Sequence, residues 1–224
     1  MNSLYIVATP IGNLEDMSAR AVRILSEVDV VLCEDTRVTG KLLQHYGVDV
    51  KTMSYHAHSN DNRENEIIDM LREGKSLALV SDAGTPTISD PGVKLVARVR
   101  DELPDVAVSP IPGASALMSA LSVSGISSAR FTFLGFLPHK KGRQKLFQEI
   151  ADSKETMVFY ESTHRIMKTL ESLNDIIPSR KIAVARELTK MYEQVKIGTV
   201  GEVYQYFIDN QDKVKGEFVV IVAP

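Results

Sequence analysis

The chain has 224 residues, 44% of them hydrophobic and 25% charged, which allows one large or two small domains with a real core. Its formal charge of −3 argues against holding nucleic acid by bulk electrostatics, which needs many Lys and Arg contacts to phosphate. No apolar run approaches the roughly 20 residues of a membrane span, Met1-Asn2-Ser3-Leu4 leads straight into a strand without a signal-peptide pattern, and the single cysteine, Cys33, excludes an intrachain disulfide, so a reduced, cytoplasmic setting is expected.

Hydrophobic periodicity predicts a strand over residues 4–9, a helix from about Met17 to Glu27, a strand over 29–34 and a helix to Tyr46. A short strand over 51–55, a helix over 60–73, a strand over 76–80, a helix from Pro91 and a strand over 106–111 follow. Crossovers of this length demand parallel pairing. Beyond Pro112 the pattern changes. A small-residue helix through Ser124 precedes strands over 130–136, 156–161, 181–188, 194–200 and 217–222, with longer helices over 142–152 and 163–175. Short links or one helix separate the last three strands, which predicts an antiparallel or mixed sheet. The expected fold class is α/β with two lobes, residues 1–112 and 113–224, the first built on a parallel sheet and the second on a mixed one.

The stretch Ser81-Asp82-Ala83-Gly84-Thr85-Pro86-Thr87-Ile88-Ser89-Asp90-Pro91-Gly92 joins a buried strand to an amphipathic helix with almost nothing but turn formers, and reads as a ligand loop. Gly84 lets a ligand approach the backbone, Asp90 before Pro91 reads as an N-cap followed by the first helical position, and the helix start leaves N–H groups free for an anionic group. A second junction, Pro112-Gly113-Ala114-Ser115-Ala116, follows the next strand, and loops at the same ends of neighbouring parallel strands face one crevice. The opening strand runs into Thr9-Pro10-Ile11-Gly12-Asn13, in the place of a nucleotide-binding turn but without Gly-x-Gly-x-x-Gly, so a dinucleotide or Walker-type site is unsupported.

Cys33-Glu34-Asp35-Thr36-Arg37 ends the second strand with two carboxylates and an arginine; such a pair reads as a helix cap by Asp35 or Thr36, and Cys33 as packing. His56 and His58 have a spacing that could bind a metal but no third ligand nearby, so no metal is expected. Arg165 and Arg186 read as partners of phosphate or of Glu161 and Glu187. His139-Lys140-Lys141-Gly142-Arg143-Gln144-Lys145 carries four cations in seven residues, either a solvated run or an RNA backbone contact.

Together these stretches resemble the tetrapyrrole methylase superfamily of S-adenosylmethionine-dependent enzymes and, within it, the ribosomal RNA small subunit methyltransferase I family. The resemblance is carried by Val7-Ala8-Thr9-Pro10-Ile11-Gly12-Asn13-Leu14-Glu15-Asp16, the Cys33 to Arg37 stretch, the 81–92 loop and Pro112-Gly113-Ala114-Ser115. Phe133-Leu134-Gly135-Phe136-Leu137-Pro138, Phe159-Tyr160-Glu161-Ser162, Arg186-Glu187-Leu188-Thr189-Lys190 and Gly216-Glu217-Phe218-Val219 continue it over nearly the whole chain. It departs at Thr163, where the family usually has proline before His164-Arg165. Family members also commonly continue past the last strand into a basic helical extension; the sequence here stops at Pro224, so part of the RNA grip is expected to be missing.

The resemblance implies S-adenosyl-L-methionine as cofactor, in a cleft between the lobes lined by Pro10, Asp82, Ala83, Gly84, Thr85, Ile88, Ser115, Ala116, Tyr160, Glu161, Glu187 and Leu188. It implies methyl transfer to the 2′-hydroxyl of a cytidine in 16S ribosomal RNA, naked or in the assembled 30S subunit, with Asp35, Arg37, His56 and Asp90 as the catalytic candidates facing the ribose. It also implies a homodimer, for which the apolar segments 131–136 and 219–222 are expected to supply surface. The alternatives are a methylase of a small tetrapyrrole, against which the 81–92 loop weighs, and a non-catalytic cofactor- or RNA-binding module.

Overall fold

Five short strands, β1 (Ser3–Val7), β2 (Val30–Cys33), β3 (Lys51–Ser54), β4 (Leu77–Leu79) and β5 (Ala107–Ile111), pair in parallel in the order β3-β2-β4-β1-β5. Four helices, α1 (Ala19–Glu27), α2 (Thr36–His45), α3 (Asp61–Arg72) and α4 (Val93–Glu102), lie in the connections. Alternation along the strands assigns the helices to faces, because successive side chains point to opposite sides of a sheet. Leu4, Val30, Leu32, Leu77 and Leu79 pack with Ile67, Ile68 and Leu71 of α3 and with Leu95 and Val99 of α4. Val7, Val31, Cys33, Ala78 and Val80 pack with Ala21, Ile24 and Leu25 of α1 and with Leu43 of α2. The chain thus leaves β1 toward one face and its neighbour β4 toward the other, which makes their carboxyl ends a topological switch point.

The computed structural model describes residues 2–224 in two units, one running to Ser115 and the other Ala116–Pro224. The second unit contains α5 (Ala116–Val123), β6 (Phe131–Phe136), α6 (Arg143–Asp152), β7 (Thr156–Ser162), α7 (Ile166–Ile176), β8 (Lys181–Arg186), β9 (Gln194–Thr199), α8 (Val200–Asp209) and β10 (Glu217–Val222). Its sheet runs β6-β7-β10-β8-β9, with β6 and β7 parallel and every other pair antiparallel, a mixed sheet as the sequence predicts. Met157, Phe159, Ile182, Val184, Phe218, Val220 and Val222 form its core with Phe147, Ile150, Leu170, Leu173, Val203 and Phe207 from α6, α7 and α8. Among the described residues no helix is long and apolar enough to cross a membrane.

Three local expectations need correction. Helix α4 begins at Val93 with Gly92 at the cap, at φ 117° and without a side-chain cap, so Asp90 does not cap it and Pro91 is not its first residue. A Cβ on Gly92 would sit 2.6 Å from Leu79 Cδ2, so only glycine fits there, and glycine also permits the left-handed turn by which the chain enters the helix. Val200, expected to close a strand, opens α8 instead, because Thr199 and Glu202 form a reciprocal capping box. Finally, Val219 to Val222 are not a free surface for an interface: β10 is the central strand and these residues are buried, Val220 and Val222 in the unit's core.

Candidate active site

All five strands of the first sheet are parallel, so the candidate residues that follow them gather along one edge. Pro10 follows β1, Asp35 and Arg37 follow β2, His56 follows β3, the 82–90 loop follows β4 and Ser115 follows β5. The loops after β1 and β4 are tied by two backbone hydrogen bonds, Thr9 N–H to Gly84 O at 2.9 Å and Gly84 N–H to Thr9 O at 3.0 Å. Gly84 sits at φ 83°, a conformation open to it because it lacks a Cβ. The Thr9 hydroxyl donates to Ser81 O at 3.1 Å, and the Thr85 hydroxyl donates to Ala114 O at 3.1 Å, which brings the loop after β5 onto the same platform.

Between Ala83 and Asp90 only Gly84 exchanges backbone hydrogen bonds with the rest of the described residues. Among the described residues the amides of Ala83, Thr85 and Ile88 have no hydrogen-bond acceptor, while the Ala83 and Ile88 side chains are exposed. Thr87 and Ser89 hold left-handed backbone at φ 73° and 61°, unusual for residues with a Cβ and a recurrent feature of loops shaped around a ligand.

The carboxylates on this edge fall into two electrostatic classes. Asp35 caps α2 by accepting Arg37 N–H at 2.8 Å, and its oxygens also accept Arg37 Nε and Nη2 at 3.0 and 2.6 Å. That hydrogen bonding to Arg37 pulls the Asp35 carboxyl down to about 2, so it stays ionised and neutralised by its neighbour. Asp90 is pushed up, chiefly by burial and further by the charge of Asp82, against a hydrogen bond from Ser81. Glu34 is raised too, by burial first and then by Asp90 and Asp82. Glu34 is the residue that sequence reasoning passed over, although its place between the last β2 residue and the α2 cap put a second carboxylate at the strand's exit.

His56 and His58 are exposed, and His56 Nδ1 accepts the His58 N–H at 3.2 Å. Among the described residues no group of three His, Cys, Asp or Glu side chains could hold a metal ion. The turn that carries His56 is anchored from below: Tyr55 N–H donates to Cys33 O at 2.8 Å and the Tyr55 hydroxyl reaches buried Glu64 at 3.3 Å. Burial and then the Glu64 charge push that phenol up to about 12, so it remains a donor. Glu64 is balanced by Lys94 and Arg98 at 3.1 and 3.2 Å, which locks α3 to α4.

The second unit repeats the edge logic. Strands β6, β7 and β8 run the same way, and their carboxyl ends bring Phe136, Tyr160 with Glu161, and Glu187 with Leu188 to one edge, beside the amino end of β10. Tyr160 stacks edge-on with Phe133 and Phe136 at centroid distances of 5.0 and 5.4 Å. Glu187 and Thr189 are left-handed at φ 50° and 66°. Glu187 Oε1 accepts Glu217 N–H and Lys190 Nζ, both at 2.9 Å, and a Cβ on Gly216 would collide with that carboxylate. Two buried side-chain oxygens in the same hairpin, Thr189 Oγ1 and Gln194 Oε1, have no hydrogen-bond partner among the described residues.

Arg165 does pair with Glu161, at 2.8 Å, whereas Arg186 spends its guanidinium on the carbonyls of Lys215 and Tyr192. Ala116 opens α5. The basic run also splits: Lys140, Lys141 and Lys145 are exposed, but Arg143 is buried and bonded to Pro138 O and Thr169 Oγ1, so it is not a free cation.

Residues 3–204 match the family model described as Tetrapyrrole (Corrin/Porphyrin) Methylases. A protein named Ribosomal RNA small subunit methyltransferase I from Synechocystis is 48% identical, over 100% of this chain and 79% of its own length. One of the same name from Bacillus subtilis is 45% identical over 99% of this chain and 75% of its own length. Among solved structures, a cobalt precorrin-4 methyltransferase aligns with TM-score 0.69 at 17% identity over 99% of this chain and 94% of that one. A diphthine synthase aligns with TM-score 0.70 at 14% identity over 100% and 90%. At these identities the solved structures bear on the fold alone.

The raised Asp90 carboxyl has a signed consequence for stability. A carboxyl whose folded pKa lies above its unfolded value stabilises the fold below the unfolded value, and that contribution is lost as pH rises through the folded one. Asp90→Asn removes this loss. Chemical denaturation should find the variant gaining stability over the parent as pH rises from about 3 toward neutrality, starting from near equality at the acid end; a difference that does not change with pH contradicts the assignment.

Proposed function

We infer from the chain's place among the tetrapyrrole (corrin/porphyrin) methylases, the family to which it belongs, that it is an S-adenosylmethionine-dependent methyltransferase of small-subunit ribosomal RNA. The acceptor is supported by the name that relatives at 45% and 48% identity bear across the whole length compared. The cofactor is supported by one structural observation above the others, the loop platform at the β1/β4 switch point with its unpartnered amides.

The residues present fit the cofactor. Partnerless N–H groups at Ala83, Thr85 and Ile88 suit a carboxylate, the exposed Ile88 side chain offers apolar surface, and Asp82 supplies an acceptor for hydroxyl or ammonium groups. Pro10, Gly84, Ser115 and Ala116 complete this proposed set, and the second unit offers Tyr160, Glu187 and Leu188, with Thr189 Oγ1 and Gln194 Oε1 as unspent polar atoms; the Glu161 carboxylate, expected to line the cofactor, is instead fully buried and spent on Arg165, Ser162 N–H and Thr169. When bound, the cofactor supplies an activated methyl group on a sulfonium centre. The chain's own task is to hold the acceptor oxygen in line with it, a positional effect that can supply roughly 7–11 kcal/mol.

The finer reading is 2′-O-methylation of a cytidine. Loss of the hydroxyl proton needs a nearby acceptor, and the electrostatic classes rank the candidates. Asp35, locked by Arg37 at about 2, is a weak base and a good orienter, with Arg37 free on its outer side to meet phosphate. Asp90, raised by burial, is the stronger proton acceptor, Glu34 supports it, and His56 stands at the rim as a hydrogen-bonding group for the acceptor.

Incubation with methyl-labelled cofactor and purified 30S subunits, followed by digestion to nucleosides, should yield labelled 2′-O-methylcytidine. Label on a base would overturn the 2′-O reading, label on a small tetrapyrrole but not on RNA would favour the family's other chemistry, and no transfer at all would leave only a binding module. We also assign a homodimer, with the half-exposed edge strand β6 as the surface that a partner would cover. Sedimentation at micromolar concentration should show two chains per particle; a fully active monomer contradicts this.

A further inference from the structure

A buried carboxylate organises the basic turn of the second unit. Glu161 has a fully buried side chain near the end of β7. Its Oε1 accepts Arg165 Nε at 2.8 Å and Ser162 N–H at 2.9 Å; its Oε2 accepts the Thr169 hydroxyl at 2.7 Å and lies 3.8 Å from Arg143 Nη2. Arg143 also donates to that hydroxyl at 2.7 Å, so Thr169 relays between acid and base. Each guanidinium then uses a further arm on the preceding chain: Arg165 Nη1 donates to Leu137 O at 2.6 Å and Arg143 Nη1 to Pro138 O at 3.2 Å.

The next four residues, His139, Lys140, Lys141 and Gly142, are exposed, and Gly142 at φ 83° caps α6 with no side-chain help. The exposed turn is thus held at its entrance by two carbonyls and at its exit by Arg143 itself. Both clamps depend on one negative charge, since a buried guanidinium at Arg143 and a half-buried one at Arg165 would be strongly unfavourable without it. Arginine is needed because only its planar fork serves a carboxylate and a carbonyl at once.

We propose that Glu161 is a positioning residue for the acceptor: through Arg143 and Arg165 it fixes the 137–142 turn so that Lys140 and Lys141 meet RNA phosphates. This rests on the ribosomal RNA reading given above, and the test separates the two. In the full chain, Lys140→Ala with Lys141→Ala should raise the KM for 30S subunits several-fold and reduce the salt slope of binding by about two, one per lost phosphate contact. Glu161→Gln and, as the milder change, Arg165→Lys should each raise that KM several-fold, and Arg165→Lys should keep kcat and cofactor affinity.

In the background lacking both lysines, neither change should raise KM further, because residues acting as one unit are not additive. With both lysines present, trypsin should also cut after Lys140 and Lys141 faster in the Glu161→Gln and Arg165→Lys variants than in the parent, a readout independent of RNA. Equal losses with and without the lysines would show that Glu161 acts elsewhere and overturn the proposal, as would unchanged cleavage and KM. Lysines that prove neutral in KM and salt slope would overturn the acceptor role of the turn, while the cleavage rates would still report whether Glu161 holds it.

Discussion

The paired hydrogen bonds between Thr9 and Gly84 are the constraint on which the first unit's candidate site rests. They join the exits of two neighbouring strands whose chains then part toward opposite faces of the sheet, and so keep open a point that sheet topology alone would only suggest. The bridge needs a residue at position 84 that accepts φ 83° beside Ile11, whose Cγ2 would lie 3.4 Å from an added Cβ. With the bridge in place, the Thr9 and Thr85 hydroxyls bond to Ser81 and Ala114 and gather three loops into one platform. What remains unbonded is a short row of amides, and the site's chemistry starts there.

Charge on the platform is divided by partners and surroundings rather than by residue type. Asp35 is held as an anion by Arg37 and by the cap it makes, while Asp90 and Glu34, without such a partner, are raised by burial and by like charge, Glu34 by Asp90 and Asp82 and Asp90 by Asp82. One edge therefore holds a carboxylate fixed as an anion and two that take up a proton more readily. The second unit uses burial differently: Glu161 is sunk completely, but with two arginines, so its charge becomes structural and its influence passes outward through the carbonyls of Leu137 and Pro138.

Much of this was legible in the sequence because it depends on local pattern. Continuous apolar runs within 29–34 and 76–80, and crossovers long enough for helices, dictate a buried parallel sheet, and parallel strands put every following loop on one edge. Asp35 reads as a cap because a short carboxylate before a helical run has few other uses. Other features depend on three-dimensional context. Asp90-Pro91 carries the same signature as a helix start, but the chain turns left-handed at Gly92 and the helix begins only at Val93. Arg143 looks like one cation among four, yet it shares a helix face with buried Phe147 and Ile150 at spacings of four and seven, a pattern the charge count conceals. The central place of β10 follows from strand order, which residue composition does not encode.

The central claim is that the loops tied by Thr9 and Gly84 hold the cofactor through backbone amides. Titration of the isotopically labelled chain with S-adenosylhomocysteine, followed by amide resonances, tests it most directly. The account predicts saturable shifts at Ala83, Thr85 and Ile88, with slowed solvent exchange at the same amides. Tight binding that leaves those amides unperturbed would contradict it.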